Sequence, residues 1–299
     1  MFFNPPYNIN RLIWVFIALI SAIDAAWMAR AGMEIAWGRS PIGVFSLMFA
    51  TSMVYRTIRP DEHIYQFAQI CMQLVAGSLA LAVFSYLTAR LNLPLVDEWL
   101  IAADHVICFD WGAWISWLNA RPLAWALLLS CAYHSLAPQM ALLLFLLFMH
   151  KRIAHIQRFI IAFFYAGLIV ILLGALFPTM GGYAHYQLDL SQFANLHPIG
   201  ATSHSETLAL LRSHSITIIT SSLSGVVMFP SFHGALAILM MYASLPIRWL
   251  RYIMIPLNLL VLISTPADGG HYLVDVIAGC LIAFHAIWLA RKLLPPTVS

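Results

Sequence analysis

His271 and Asp275 stand four residues apart in the run Asp268-Gly269-Gly270-His271-Tyr272-Leu273-Val274-Asp275, a spacing that puts both on one face of a helix. The carboxylate can then accept one ring N–H of the imidazole and leave the other nitrogen free and aimed. A nucleophilic histidine has this requirement, because the carboxylate fixes the tautomer and stabilises the cationic ring that forms. Gly269 and Gly270 add backbone unshielded by a side chain, so that main-chain N–H groups beside the histidine, at Gly270 above all, can approach a phosphate closely. The alternative is a buried polar pair that serves helix packing. Ionisable residues at the edge of an apolar span favour the functional reading.

A second stretch, Phe229-Pro230-Ser231-Phe232-His233-Gly234, opens another apolar run. Proline suits a first helical turn, where its missing N–H would have no partner anyway. The helix start then offers the Ser231 hydroxyl and free backbone N–H groups at the partially positive helix end, which favours an anion. His233 follows one short turn away. By themselves such a serine and histidine are usually a cap and an interfacial residue; the His271–Asp275 pair downstream gives them weight.

Pro-Ser-x-His followed by His-x-x-x-Asp, each opening an apolar helix, resembles the type-2 phosphatidic acid phosphatase superfamily, and the spacing from Ser264 through His271 to Asp275 fits that family's third signature. The resemblance covers about residues 206 to 290. It implies that His271 attacks phosphorus, that Asp275 orients it, that His233 protonates the leaving oxygen and that Ser231 hydrogen-bonds phosphate. Two positions depart from the family pattern. Thr265 stands where an arginine is usual, and the first signature, a lysine followed by Arg-Pro, has no match, since Arg59-Pro60 and Arg121-Pro122 lack the lysine. Arg212, the one basic residue of the 178–228 stretch, is the candidate for the missing charge; a surface pairing with Glu206 is the other reading. His-Tyr-Leu-Val-Asp and the bulky Phe232 look like the inositol phosphorylceramide synthase and sphingomyelin synthase branch. Tyr133, His134 and Gln139 loosely resemble a polar patch of its inositol-transferring members, and an interfacial cap at a helix-bending Pro138 is an equal reading there.

These motifs need a scaffold, and composition defines it. Of 299 residues 62% are hydrophobic and 9% charged, against roughly 45–50% and 25% for a soluble domain, and mean hydropathy is +0.85. A water-soluble globule is excluded, and the expected fold class is all-α, a polytopic transmembrane bundle of about eight spans. Apolar segments fall at about 12–29, 42–55, 64–89, 123–149, 159–177, 229–245, 252–265 and 271–290. The first resembles a signal peptide but lacks a clean cleavage site, and is read as a retained span. With a cytoplasmic amino terminus, ten basic residues fall inside and five outside, so both termini are expected in the cytoplasm and the active site at the outer leaflet. The two long connections, 90–122 and 178–228, then lie outside. The first interleaves Asp97, Glu98, Asp104 and Asp110 with Trp99, Phe109, Trp111, Trp114 and Trp117, the pattern of an interfacial segment: an anchoring collar, with a substrate lid as the alternative. The expected organisation is an N-terminal transmembrane region, 1–122, and a catalytic one, 123–299.

A net charge of +3 without a basic stripe excludes nucleic acid as a partner. Four cysteines, three of them inside apolar runs, give no disulfide framework. His185, His197, His204 and His214 share the second long connection without a metal-ligand spacing, so neither metal nor other cofactor is expected. Asp24 in the first span reads as interfacial or functional, and Tyr183, Tyr186 and Asp189 could line a headgroup pocket. The expected activity is lipid phosphotransfer through a phosphohistidine, with a membrane lipid as donor and a small alcohol, a lipid or water as acceptor. A lipid or polyprenyl phosphate phosphatase and a non-catalytic lipid binder or transporter stay open. Oligomeric state is not legible.

Overall fold

The computed structural model describes residues 9–36, 39–189, 193, 195–196, 199–214, 218–220 and 225–295, with the side chains of 36, 39–40, 199–202 and 218–220 left out of the description. Helices run α1 Ile9–Ala31, α2 Arg39–Thr57, α3 Glu62–Ala89, α4 Asp97–Val106, α5 Trp111–Asn119, α6 Leu123–His134, α7 Leu136–Met149, α8 Ile153–Leu176, α9 Gly182–His185, α10 Ile199–Arg212, α11 Phe232–Ser244, α12 Arg248–Asp268 and α13 Leu273–Leu293. The all-helical expectation holds apart from two three-residue strands, β1 Glu34–Ala36 and β2 Ile218–Thr220, which pair in parallel with Glu34 opposite Ile218.

Five helices, α1, α3, α8, α12 and α13, are long and apolar enough to cross a membrane, and α6 with α7 makes a sixth if the pair, bent by 50°, is one span. The expected eight are therefore not reached among the described residues. Segment 229–245 contracts to the 13-residue α11, which rises only ~20 Å against a hydrocarbon core of ~30 Å. Segment 42–55 becomes α2, whose hydroxyl residues and terminal arginines dilute its apolar character. The bend between α6 and α7 falls where Pro138 denies an N–H to the preceding turn.

α11 is wrapped by α8, α12 and α13, and small residues let it approach α13 at backbone distance. A Cβ at Gly279 would collide with the Ser231 carbonyl oxygen, and one at Gly234 would stand 2.9 Å from that of Val276. The Ser231 N–H donates to the Asp275 carbonyl at 2.9 Å, tying the two helix starts together. At the other end Arg158 of α8, 2% exposed, donates to the carbonyls of Leu294 and Pro295, which satisfies groups that the end of α13 leaves unpaired. Gly279→Ala should force α11 off α13, because the obstacle is backbone. A loss of about 1–3 kcal/mol is expected, read as a lowered Tm in detergent micelles; an unchanged Tm would show that the contact can relax.

Candidate active site

α13 begins just after His271, and its first turn is held from two directions. The Asp275 carboxylate reaches back to accept the Tyr272 N–H at 3.0 Å. Asp104 of α4 accepts from Leu273 N–H at 3.0 Å and Val274 N–H at 2.8 Å, so a carboxylate sits where the helix end is partially positive. Asp97 accepts from the Thr179 hydroxyl, from the N–H groups of Met180 and Gly181 at 3.1 Å each and from the Tyr272 hydroxyl at 3.0 Å. Gly270, with φ of +70°, turns its carbonyl to the Gly182 N–H at 2.9 Å, while the neighbouring Gly181 adopts +81°. Such backbone suits glycine. A Cβ on Gly181 would also come within 3.0 Å of the Gly270 carbonyl oxygen.

Inside this frame His271 is 3% exposed and Ser231 and Asp275 are fully buried. His271 Nδ1 lies 3.4 Å from an Asp275 carboxylate oxygen, without the alignment of a hydrogen bond. Catalytic contacts of this kind are commonly long until substrate binds. On the other side of the ring, Nε2 lies 3.4 Å from Ser231 Oγ, and that oxygen also accepts the Gly234 N–H at 3.2 Å as the N-cap of α11. Proline at 230 therefore precedes the cap instead of occupying the first helical turn. The His233 ring centroid is 6.2 Å from that of His271, and Tyr133 stacks on His233 at 4.3 Å. Burial pulls His271 down to about 4, partly offset by the Met228 backbone, a shift that favours the neutral ring with one unprotonated nitrogen at neutral pH.

The fold thus brings together His271, Asp275, His233, Ser231, Gly270 and Tyr133. The other candidates make different contacts. Arg212 donates to the Leu93 carbonyl at 2.9 Å; burial lowers its basicity and the Asp97 carboxylate offsets this. No hydrogen bond or ion pair joins it to the histidines or to Glu206 among the described residues, and it lines a small pocket with Thr179, Met228 and Phe229. Thr265, at the position of the absent arginine, and Ser264 both donate back to the Val261 carbonyl in their own helix. Gln139 hydrogen-bonds Ser135 and Asn258, stitching the bend to α12, and His134 is exposed. Phe232 packs edge-on against Phe163 at 5.3 Å and lines an apolar pocket of about 260 Å³ between α3 and α8 that ends at His233.

Sequence reading missed what holds the histidine loop. The segment expected as a collar sends Trp99 and Trp117 outward, yet its Asp97 and Asp104 face inward and Trp111 donates to the Pro266 carbonyl at 3.1 Å. Alternation of acids with aromatics was the available signal. Asp268, buried at the end of α12, also escaped notice beside Ser130 and His134. Of the remaining candidates, Tyr183 donates to the Ala267 carbonyl, Tyr186 stacks on Trp111, His185 pairs with Glu98, His204 faces the Gly225 carbonyl and His214 meets Arg90. His197 lies outside the described residues. No group of three or more potential metal ligands occurs among the described residues.

A histidine beside a carboxylate, a second histidine and a serine at a helix start is an arrangement suited to displacement at phosphorus. Neither a curated protein nor a solved structure matches the chain. A protein-family model for the PAP2 superfamily matches residues 98–289, well over half of the chain, beginning at the α4 brace and ending near the close of α13. The chain belongs to the PAP2 superfamily and is a phosphatase or phosphotransferase enzyme.

Proposed function

We propose that the protein transfers phosphorus from a lipid phosphoester to an alcohol acceptor through a phosphohistidine on His271. The observation that carries this reading is the convergence of His271 and Ser231 with His233, whose ring ends an apolar pocket beside them. An alkyl chain in that pocket would bring its phosphoester to the histidines. Nε2 of His271 then attacks phosphorus as the bond to the departing alcohol oxygen breaks, and His233 gives that oxygen a proton. The anionic phosphate beside His233 favours its protonated form. Asp275 stabilises the cationic His271 ring, while Ser231 and helix-start N–H groups face the charge on the equatorial oxygens. In the second half, neutral His233 takes the proton of the acceptor hydroxyl, whose oxygen attacks phosphorus and releases His271.

Transfer to an alcohol is favoured over hydrolysis because His271, Ser231 and Asp275 are buried and the half-buried His233 ring is covered by Tyr133, which limits water at the intermediate. The motif forms around His271 and Phe232 support a sphingolipid-type branch with inositol or ceramide-like acceptors. Our assignment of the site to the outer leaflet rests on the ten-to-five division of basic residues. Inositol, diacylglycerol or ceramide added to the enzyme with a radiolabelled phospholipid should move label onto a new lipid or headgroup. Label found only in water-soluble hydrolysis products across the acceptor panel would replace this reading with a phosphatase.

A further inference from the structure

A cavity of about 710 Å³ opens between α1, α2 and α3, within the range of about 300–1,000 Å³ typical of small-molecule sites. Its wall is apolar, with Met28 from α1, Ile42 and Phe45 from α2, and Val75, Leu79 and Val83 from α3. Into this wall is set one carboxylate, Asp24. It is 5% exposed, and its Oδ1 has no hydrogen-bond partner in the protein. Asp24 lies seven residues before the end of α1, which is ~10 Å along the helix axis, and its single methylene is too short to carry the charge out to the interface as lysine or arginine would.

An isolated carboxylate in this setting is costly unless a partner meets it. Among the described side chains no lysine, arginine or histidine lines the cavity, whose other polar members are Ser21 and Ser46, and Arg30 of the same helix lines a different surface depression with Trp27. An occupant with a complementary group would meet that carboxylate. It has to combine an apolar body with a small cationic head.

We infer that the cavity is a binding site for a long-chain ammonium amphiphile, its head paired with Asp24 and its alkyl body against the α2 and α3 wall. The site is separate from the reaction centre. Leu79 and Val83 face this cavity, whereas Leu81, Ala82 and Ser85 on the other side of α3 line the pocket that ends at His233. It also lies outside residues 98–289 that match the superfamily.

Tritiated hexadecylamine binding to the full-length protein in phosphatidylcholine nanodiscs tests this. Wild type should bind saturably and lose label to unlabelled hexadecylamine but not to hexadecanol. Asp24→Asn, which keeps the shape and removes the charge, should bind at least tenfold more weakly. Ala25→Phe, placed at a cavity-lining position exposed in the fold, should abolish binding by filling the space, and it decides the matter if Asp24→Asn does not elute as a folded species. Absence of saturable binding by wild type, equal competition by hexadecanol, or wild-type affinity in a folded Asp24→Asn or Ala25→Phe protein would each overturn the inference.

Discussion

Turnover should fall by a factor on the order of 10⁴–10⁶ in His271→Ala, the scale seen when the nucleophile of a catalytic unit is removed. The side chain carries little of the fold: its Nδ1 has no aligned hydrogen bond, and beside the Met228 backbone the ring makes one long contact, from Nε2 to Ser231. The variant should therefore remain folded and should fail to retain acid-labile label from a radiolabelled lipid donor. Wild-type-like turnover in the purified variant would end the assignment of the nucleophile. Asp275→Asn should cost about 10⁴-fold, as when the orienting carboxylate of another triad is neutralised. Ser231→Ala removes one bond to the developing charge, worth ~2–4 kcal/mol in sites of this kind.

The same residue sets a pH signature. Burial holds the folded His271 ring neutral down to about 4, whereas in the unfolded chain it takes up a proton near 6.5. Between those values the unfolded state binds the extra proton, so stability declines as pH falls from about 6.5 towards 4. Alanine at this position removes the effect. Thermal denaturation between pH 7.5 and 4.5 should show a steeper acid loss for wild type than for His271→Ala, and parallel curves would show that burial does not depress this imidazole.

Asp97→Ala should be the most damaging change outside the reacting groups. Four donors converge on this buried carboxylate, from Thr179, Met180, Gly181 and Tyr272, and stranding buried donors costs ~1–3 kcal/mol each before relaxation. A loss of about 3 kcal/mol or more is expected. Activity should fall with it, because the 178–182 turn that holds the Gly270 carbonyl would lose its anchor. Glu98→Ala is the natural control: its side chain is 81% exposed and meets only His185 at 3.5 Å, so a change within about 0.5 kcal/mol is expected. Similar Tm losses for the two variants would mean that the Asp97 cluster does not brace the loop.

The candidate catalytic groups were legible because their relation is local. His271 and Asp275 are one helical turn apart, Ser231 and His233 share a helix start, and helix periodicity converts such spacings into geometry without knowledge of the rest of the chain. Membrane character and the all-helical class were fixed by composition in the same direct way. Span number was less secure, since the apolar run at 229–245 contains a turn and a cap that only the packed α11 reveals. Charge counting pointed to Arg212, and only the fold shows that its guanidinium donates to the Leu93 carbonyl. Tertiary structure alone gave Asp97 and Asp104 their roles. Their bonds to Tyr272, Leu273 and Val274 cross 169 to 175 residues of sequence, a separation at which no periodicity carries information, and an acid facing a helix start looks in sequence like any acid at a membrane surface.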